Sequence, residues 1–308
     1  MISRTVCMVI TGFFLTTVLP VHGQDKGSVN PVPLPAIKKV TAATPAKELF
    51  GRQKKPADFT AEPVGFYSKG CLAGAVMMPH DGKHWQVMRP SRNRNWGHPN
   101  LVAFLKKFAQ SQPETSGWPG LLIGDMSQPR GGPMLTGHAS HQVGLDVDIW
   151  LMPMPNRVLS RREREETSAI NVVRADRRDI DPDIWTENHV SLIRAAAKET
   201  QVERILVNPA IKKALCREAG TDRKWLRKVR PTWGHNYHFH IRFSCPKNAS
   251  HCVPQAVPSA GDGCGKELDW WFSDEVLNPK PVKTPPKKKK PLVMGDLPPV
   301  CRDVLEAP

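Results

Sequence analysis

GHASHQVGLDVDIW, residues 137–150, and GHNYHFHIRF, residues 234–243, hold five of the chain's eleven histidines. Side chains two apart in a strand point to the same face. In residues 237–243 that rule puts Tyr237, Phe239, Ile241 and Phe243 on one side and His238, His240 and Arg242 on the other. In residues 145–152 it sets Asp146 and Asp148 against Leu145 and Val147. Each stretch reads as a strand with one apolar face for a core and one titratable face.

Working outward, residues 98–112 place Leu101, Phe104, Leu105 and Phe108 at helical spacing. Residues 186–200 do the same, with Thr186 as N-cap. VERILVN, residues 202–208, reads as a buried strand, and the next helix starts with Pro209 at its first position. GLLIGDMS, residues 120–127, reads as a further strand. Strands and helices mixed without regular βαβ alternation predict an α+β fold. The expectation is a single domain with a central antiparallel sheet flanked by helices, stabilised by disulfides.

At the N-terminus, Arg4, the apolar run 6–19 and Val21-His22-Gly23 read as an export signal over residues 1–23. The run is shorter than the ~20 residues a membrane span needs. The expected product is exported and soluble, with no stable membrane insertion once the signal is removed. Residues 24–61, rich in Pro, Lys and Ala, read as a linker, and residues 62–271 as the folded domain. Residues 272–308 read as a Pro/Lys-rich tail pinned by Cys301, and PKPVKTPPKKKKPLV lies within it.

Of seven cysteines, Cys7 leaves with the signal, and no C-x-x-C pair exists among the other six. Disulfides in an oxidising compartment therefore fit better than a zinc ribbon. Six cysteines allow 15 pairings, and the spacing alone does not choose. The formal net charge is +15. With no RNA-binding or helix-turn-helix signature, a wall polymer bearing peptide carboxylates suits that charge better than nucleic acid. Trp118, Trp150, Trp185 and Trp233 lie near the two histidine stretches and are candidates for contact with such a polymer, with core packing as the competing role.

His141 and Asp148 would be about 23 Å apart on a fully extended chain at ~3.3 Å per residue, too far to share a metal. A turn between them is required, and Gly144 is where one costs least. His240 would then complete a His, Asp, His set. Three protein ligands with an open position form the catalytic pattern for zinc, and mixed imidazole and carboxylate suits zinc better than calcium.

The run His141-Gln-Val-Gly144-x-x-x-Asp148 followed by His238-x-His240 resembles the penicillin-insensitive murein endopeptidases. That family lies within a zinc peptidase group that also holds lysostaphin-type enzymes, D-Ala-D-Ala peptidases and the hedgehog signalling domain. GHASHQ before the first ligand, the text from Arg204 to Lys212 and the cysteine layout extend the resemblance over most of residues 74–270. It implies His141, Asp148 and His240 as zinc ligands, His238 as general base and His235 as a rim residue stabilising the oxyanion. It implies His138, with Asp176 and Asp179, as candidates for a second metal, and Asp146 as a residue supporting the ligands. The disulfides implied are Cys71–Cys301, Cys216–Cys264 and Cys245–Cys252.

The activity implied is a periplasmic Zn²⁺ endopeptidase cleaving D-alanyl–meso-diaminopimelate cross-links of peptidoglycan. Needing no serine nucleophile, such an enzyme is blind to β-lactams. Neither an H-E-x-x-H helix nor a G-x-S-x-G elbow occurs. The competing readings are a D,D-carboxypeptidase or dipeptidase that trims stem peptides, and a non-catalytic wall-binding protein. Retention of His238 argues against the last, because a structural metal site needs no base.

Overall fold

The computed structural model describes residues 26–280 and 290–308. The export signal expected over residues 1–23 and the centre of the Pro/Lys tract lie outside the described residues. Eleven strands are found among the described residues. β1 (Glu62–Phe66) and β2 (Lys69–Ala73) form an antiparallel hairpin, and β3 (Val76–Met77) pairs with β6 (Trp96–Gly97). The main sheet has the order β10-β9-β11-β8-β7-β5-β4. Its members are β4 (Asp81–Gly82), β5 (Trp85–Val87), β7 (Leu121–Ile123), β8 (Asp146–Pro153), β9 (Val202–Val207), β10 (Val229–Pro231) and β11 (His238–Phe243).

The fold is α+β as expected, but the sheet is mixed. β5 runs parallel to β7, and β9 parallel to β10. The reason is the connection: parallel neighbours need a crossover, which α2 (Pro99–Thr115) lies within for the first pair and α5 (Pro209–Glu218) for the second. The four other pairings in this sheet are antiparallel. The strand expected over residues 120–127 is shorter: β7 ends at Ile123, and its pairing with β8 is irregular, with Gly124 N–H donating to Asp148 O (2.8 Å) and Asp148 N–H to Asp125 O (3.0 Å).

The helices start where their caps stand. Asn100 N–H donates to His98 Nδ1 (3.2 Å) at the head of α2. Thr186 N–H donates to His189 Nδ1 (3.1 Å) ahead of α4 (Glu187–Lys198). Asn208 Oδ1 accepts from Ala210 N–H (3.0 Å), with Pro209 opening α5. Leu101, Leu105 and Phe108 of α2 and Leu192, Ile193 and Ala196 of α4 share one core with Val147, Ile149, Phe239 and Ile241. Burial of each of these Leu, Ile, Val and Phe side chains contributes about 1.5–3 kcal/mol.

Residues 24–61, read above as linker, contribute the short helix α1 (Ala46–Phe50), and both Ala46 and Phe50 are fully buried. Beyond the short helices α3 (Arg161–Glu166), α6 (Lys266–Asp269) and α7 (Asp274–Leu277), the chain closes with α8 (Val300–Glu306). Phe50 of α1, Val64 and Cys71 of the hairpin, and Cys301 and Val304 of α8 form a second, smaller core. Phe50 is what Pro/Ala-rich composition conceals, a large apolar side chain with a partner surface far along the sequence. The three disulfides are Cys71–Cys301, Cys216–Cys264 and Cys245–Cys252. No helix among the described residues is long and apolar enough to cross a membrane.

Candidate metal centre

The antiparallel register of β8 and β11 sets His238 opposite Trp150, His240 opposite Asp148 and Arg242 opposite Asp146. The face that alternation leaves free of aliphatic side chains thus carries two titratable pairs, His240–Asp148 and Arg242–Asp146, beside His238 and Trp150, in the middle of the sheet. His141 reaches the ladder from the preceding loop through left-handed backbone, φ +66°, and Gly144 follows at φ +70°. A Cβ on Gly144 would lie 2.3 Å from Leu72 Cδ2, so both backbone angle and space demand glycine there.

Asp148 divides its two oxygens. Oδ1 lies 3.4 Å from His141 Nε2 and 3.1 Å from His240 Nδ1. Oδ2 lies 3.5 Å from both His138 Nε2 and His238 Nε2. Metal–ligand bonds of 2.0–2.1 Å in a tetrahedron put donors about 3.3 Å apart, which matches the spacing on the Oδ1 side. Donor atoms of His138, His141 and Asp148 also all lie within 4.8 Å of one another. His141 and His238 are buried, and the Nε2 of each has no hydrogen-bond partner. Unpaired buried imidazole nitrogens converging on a carboxylate fit a metal ion.

The supporting contacts fix which nitrogen is offered. His141 Nδ1 bonds Met126 O (2.9 Å), leaving Nε2 toward Asp148. His240 Nε2 sits 3.2 Å from Asp146 Oδ1, leaving Nδ1 toward Asp148. Asp146 also accepts the His141 backbone N–H (2.9 Å) and two bonds from Arg242 (2.8 and 3.0 Å). Burial opposes ionisation of Asp146, but Arg242 and His240 outweigh it and hold its carboxyl well below the usual range. Burial likewise works against charge on His240, and Asp146 still raises it to about 9. His238 lacks that partner, and burial lowers it to about 3.

His235 stands half-buried at the rim, its ring 4.7 Å from that of His238. Its left-handed backbone, φ +53°, is tied to Asn208, whose side chain donates to Gly234 O (2.8 Å) and whose N–H donates to His235 O (3.2 Å). The residue that caps α5 therefore also places the rim histidine.

Asp176 and Asp179 are not brought into the cluster of His138, His141 and Asp148. Asp176 pairs with Arg174, and Asp179 with Arg217 (3.1 Å) and Lys213 (3.3 Å). Flanking arginines in RADRRD already signalled that these acids have cations at hand. Trp118, Trp150 and Trp185 are buried and serve packing, whereas Trp233 is 58% exposed.

Sequence reading missed Asp125. Its buried Oδ2 accepts from Arg92 (3.0 Å) and Arg94 (2.9 Å) and lies 3.1 Å from His138 Nε2. Burial opposes its charge, and His138 with the two arginines keeps it ionised. A single acid at the end of an apolar run carries no sequence signal of that role.

The sequence model described as penicillin-insensitive murein endopeptidase matches residues 63–306. The penicillin-insensitive murein endopeptidase of Haemophilus influenzae is 43% identical over 258 residues, covering 82% of this chain and 85% of the relative. That of Escherichia coli strain SE11 is 42% identical over 283 residues, covering 92% and 98%. That of Klebsiella pneumoniae is 42% identical over 265 residues, covering 86% and 92%. The matched region contains both histidine stretches and all three disulfides, so the chain belongs to the penicillin-insensitive murein endopeptidase family.

Proposed function

We propose that this peptidase of peptidoglycan is a periplasmic Zn²⁺ enzyme hydrolysing D-alanyl–meso-diaminopimelate cross-links. The observation that carries the reading is the donor spacing around Asp148 Oδ1, 3.4 Å to His141 and 3.1 Å to His240. In this reading His141, Asp148 and His240 hold the ion. The chemistry a bound zinc supplies is acidification of water, from about 16 to about 7, and polarisation of the scissile carbonyl.

The remaining work falls to the chain's own residues. Asp146 orients His240 and the His141 backbone, and carboxylates behind ligating histidines contribute 10–100-fold in metal affinity elsewhere (about one to three kcal/mol). His238 is neutral, with its Nε2 unpaired, so it can take a proton from the attacking water and return it to the leaving amine. His235 donates Nδ1–H to Trp233 O (2.8 Å) and burial lowers it to about 4, so its neutral ring presents an Nε2 lone pair; the oxyanion role proposed for it requires the protonated ring, whose N–H would supply roughly 3 kcal/mol. His138 lies against the second oxygen of Asp148, where a second ion would find it. With no acyl-enzyme step, β-lactams have no serine to acylate.

The test is release of monomers from cross-linked muropeptide dimers by purified protein, with and without a chelator. Chelator-sensitive release restored by zinc is expected. Removal of terminal D-alanine with dimers left intact would make it a trimming enzyme instead. No turnover by zinc-loaded protein would leave a wall-binding module.

A further inference from the structure

Arg89, Arg92 and Arg94 line the same cleft, of about 110 Å³, as His138, Asp148 and His238. They stand on the loop between β5 and β6, where Arg89 and Asn93 hold left-handed backbone at φ +58° and +52°. Their donors are unequally committed. Arg89 gives Nη1 to Arg164 O (2.8 Å) and Nη2 to Thr167 O (2.7 Å). Arg94 gives Nη1 to Asp125 and Nη2 to Thr136 O (3.0 Å) and Oγ1 (3.1 Å). Arg92 gives Nη1 to Asp125, while its Nη2 is buried with no hydrogen-bond partner. Against the three guanidinium groups stand Asp125 and Asp148 in the cleft and, on the far side of Ser91, Glu165. The cleft thus holds two unmet arginine donors, Arg89 Nε and Arg92 Nη2, of which only Nη2 lies at the tip of its fork, in the cleft that the proposed base also lines.

We propose that Arg92 binds a substrate carboxylate, the one on the carbon bonded to the scissile nitrogen. The inference rests on the endopeptidase reading, because the diaminopimelate side of that cross-link bears such a carboxylate. A planar carboxylate suits a guanidinium better than an ammonium does, since the fork gives directed N–H bonds. A buried donor left unmet is costly, and a ligand oxygen on Nη2 removes that cost. Arg94 is a positioning residue here. It shares Asp125 Oδ2 with Arg92 and so fixes where the Arg92 fork points. The subsite selects cross-links whose leaving amine carries an adjacent negative charge and disfavours amidated ones.

Two synthetic dimers test this, one amidated at the carboxylate beside the scissile nitrogen and one amidated at the distal stem terminus. Wild-type zinc-loaded protein is expected to prefer the unmodified dimer over the first by about a hundredfold in kcat/KM and to treat the second like the unmodified dimer. Arg92→Gln should compress the hundredfold preference to near one, and Arg92→Lys should restore only part of it. Calorimetry in the His238→Ala background should show the same loss of dimer affinity on adding Arg92→Gln. Unchanged zinc content and melting temperature establish that the variant is folded. The proposal is overturned if Arg92→Gln keeps the wild-type preference, or if discrimination follows the distal carboxylate. Failure of wild-type protein to cleave any dimer would sink the endopeptidase reading itself.

Discussion

Replacing His238 with alanine leaves His141, Asp148 and His240 in place, so the variant should retain its metal while turnover falls by about 10²–10⁴-fold. Metal analysis beside the dimer assay checks it, and full activity would remove His238 from the mechanism. Asp146→Asn has the opposite signature. It weakens the contact that sets His240 and leaves the buried Arg242 fork, which also lies over the Tyr67 ring at 4.2 Å, without its charge partner. Metal affinity should fall by about 10–100-fold, and the fold should lose about 3–5 kcal/mol. Competition with a calibrated chelator and a denaturant titration read the two effects separately.

Among the elements, β8 and β11 were legible because period-two alternation survives in their sequences. Their register was not, since nothing in HFHIRF tells which residue of DVDIW stands opposite. The Asp148–His240 pairing emerges only when the sheet is assembled. Arg92 and Asp125 were invisible for a related reason. They meet the histidines because β7 lies between β5 and β8, a neighbour relation that local pattern does not encode. Helix α5 carries a pH signature of its own. Lys212 is fully buried and donates to Leu226 O (2.8 Å) and Asp262 O (2.5 Å); burial, with Arg230 nearby, lowers it from 10.5 to about 7. Between those values the unfolded chain binds the extra proton, so this group's contribution to stability rises as pH climbs from 7 toward 10.5 and is at its minimum below 7. Lys212→Met should flatten that rise; melting profiles of both proteins across pH 7–9 with the same slope would refute it.

For the whole molecule, the first and last described segments meet in the small core around Cys71–Cys301, whose sequence separation is 230. On a chain-entropy account a loop of that size contributes about 5.5 kcal/mol, so Cys71→Ser with Cys301→Ser should lower the denaturant midpoint markedly. A midpoint equal to wild type would mean that Phe50, Val64 and Val304 hold the two ends without the bond. The same bridge makes residues 71–301 a covalent ring, and the lysine tract lies on it. A protease that severs that tract opens the ring without freeing a fragment: the cut protein migrates as one chain until a reductant is added, and only then sheds its last helix.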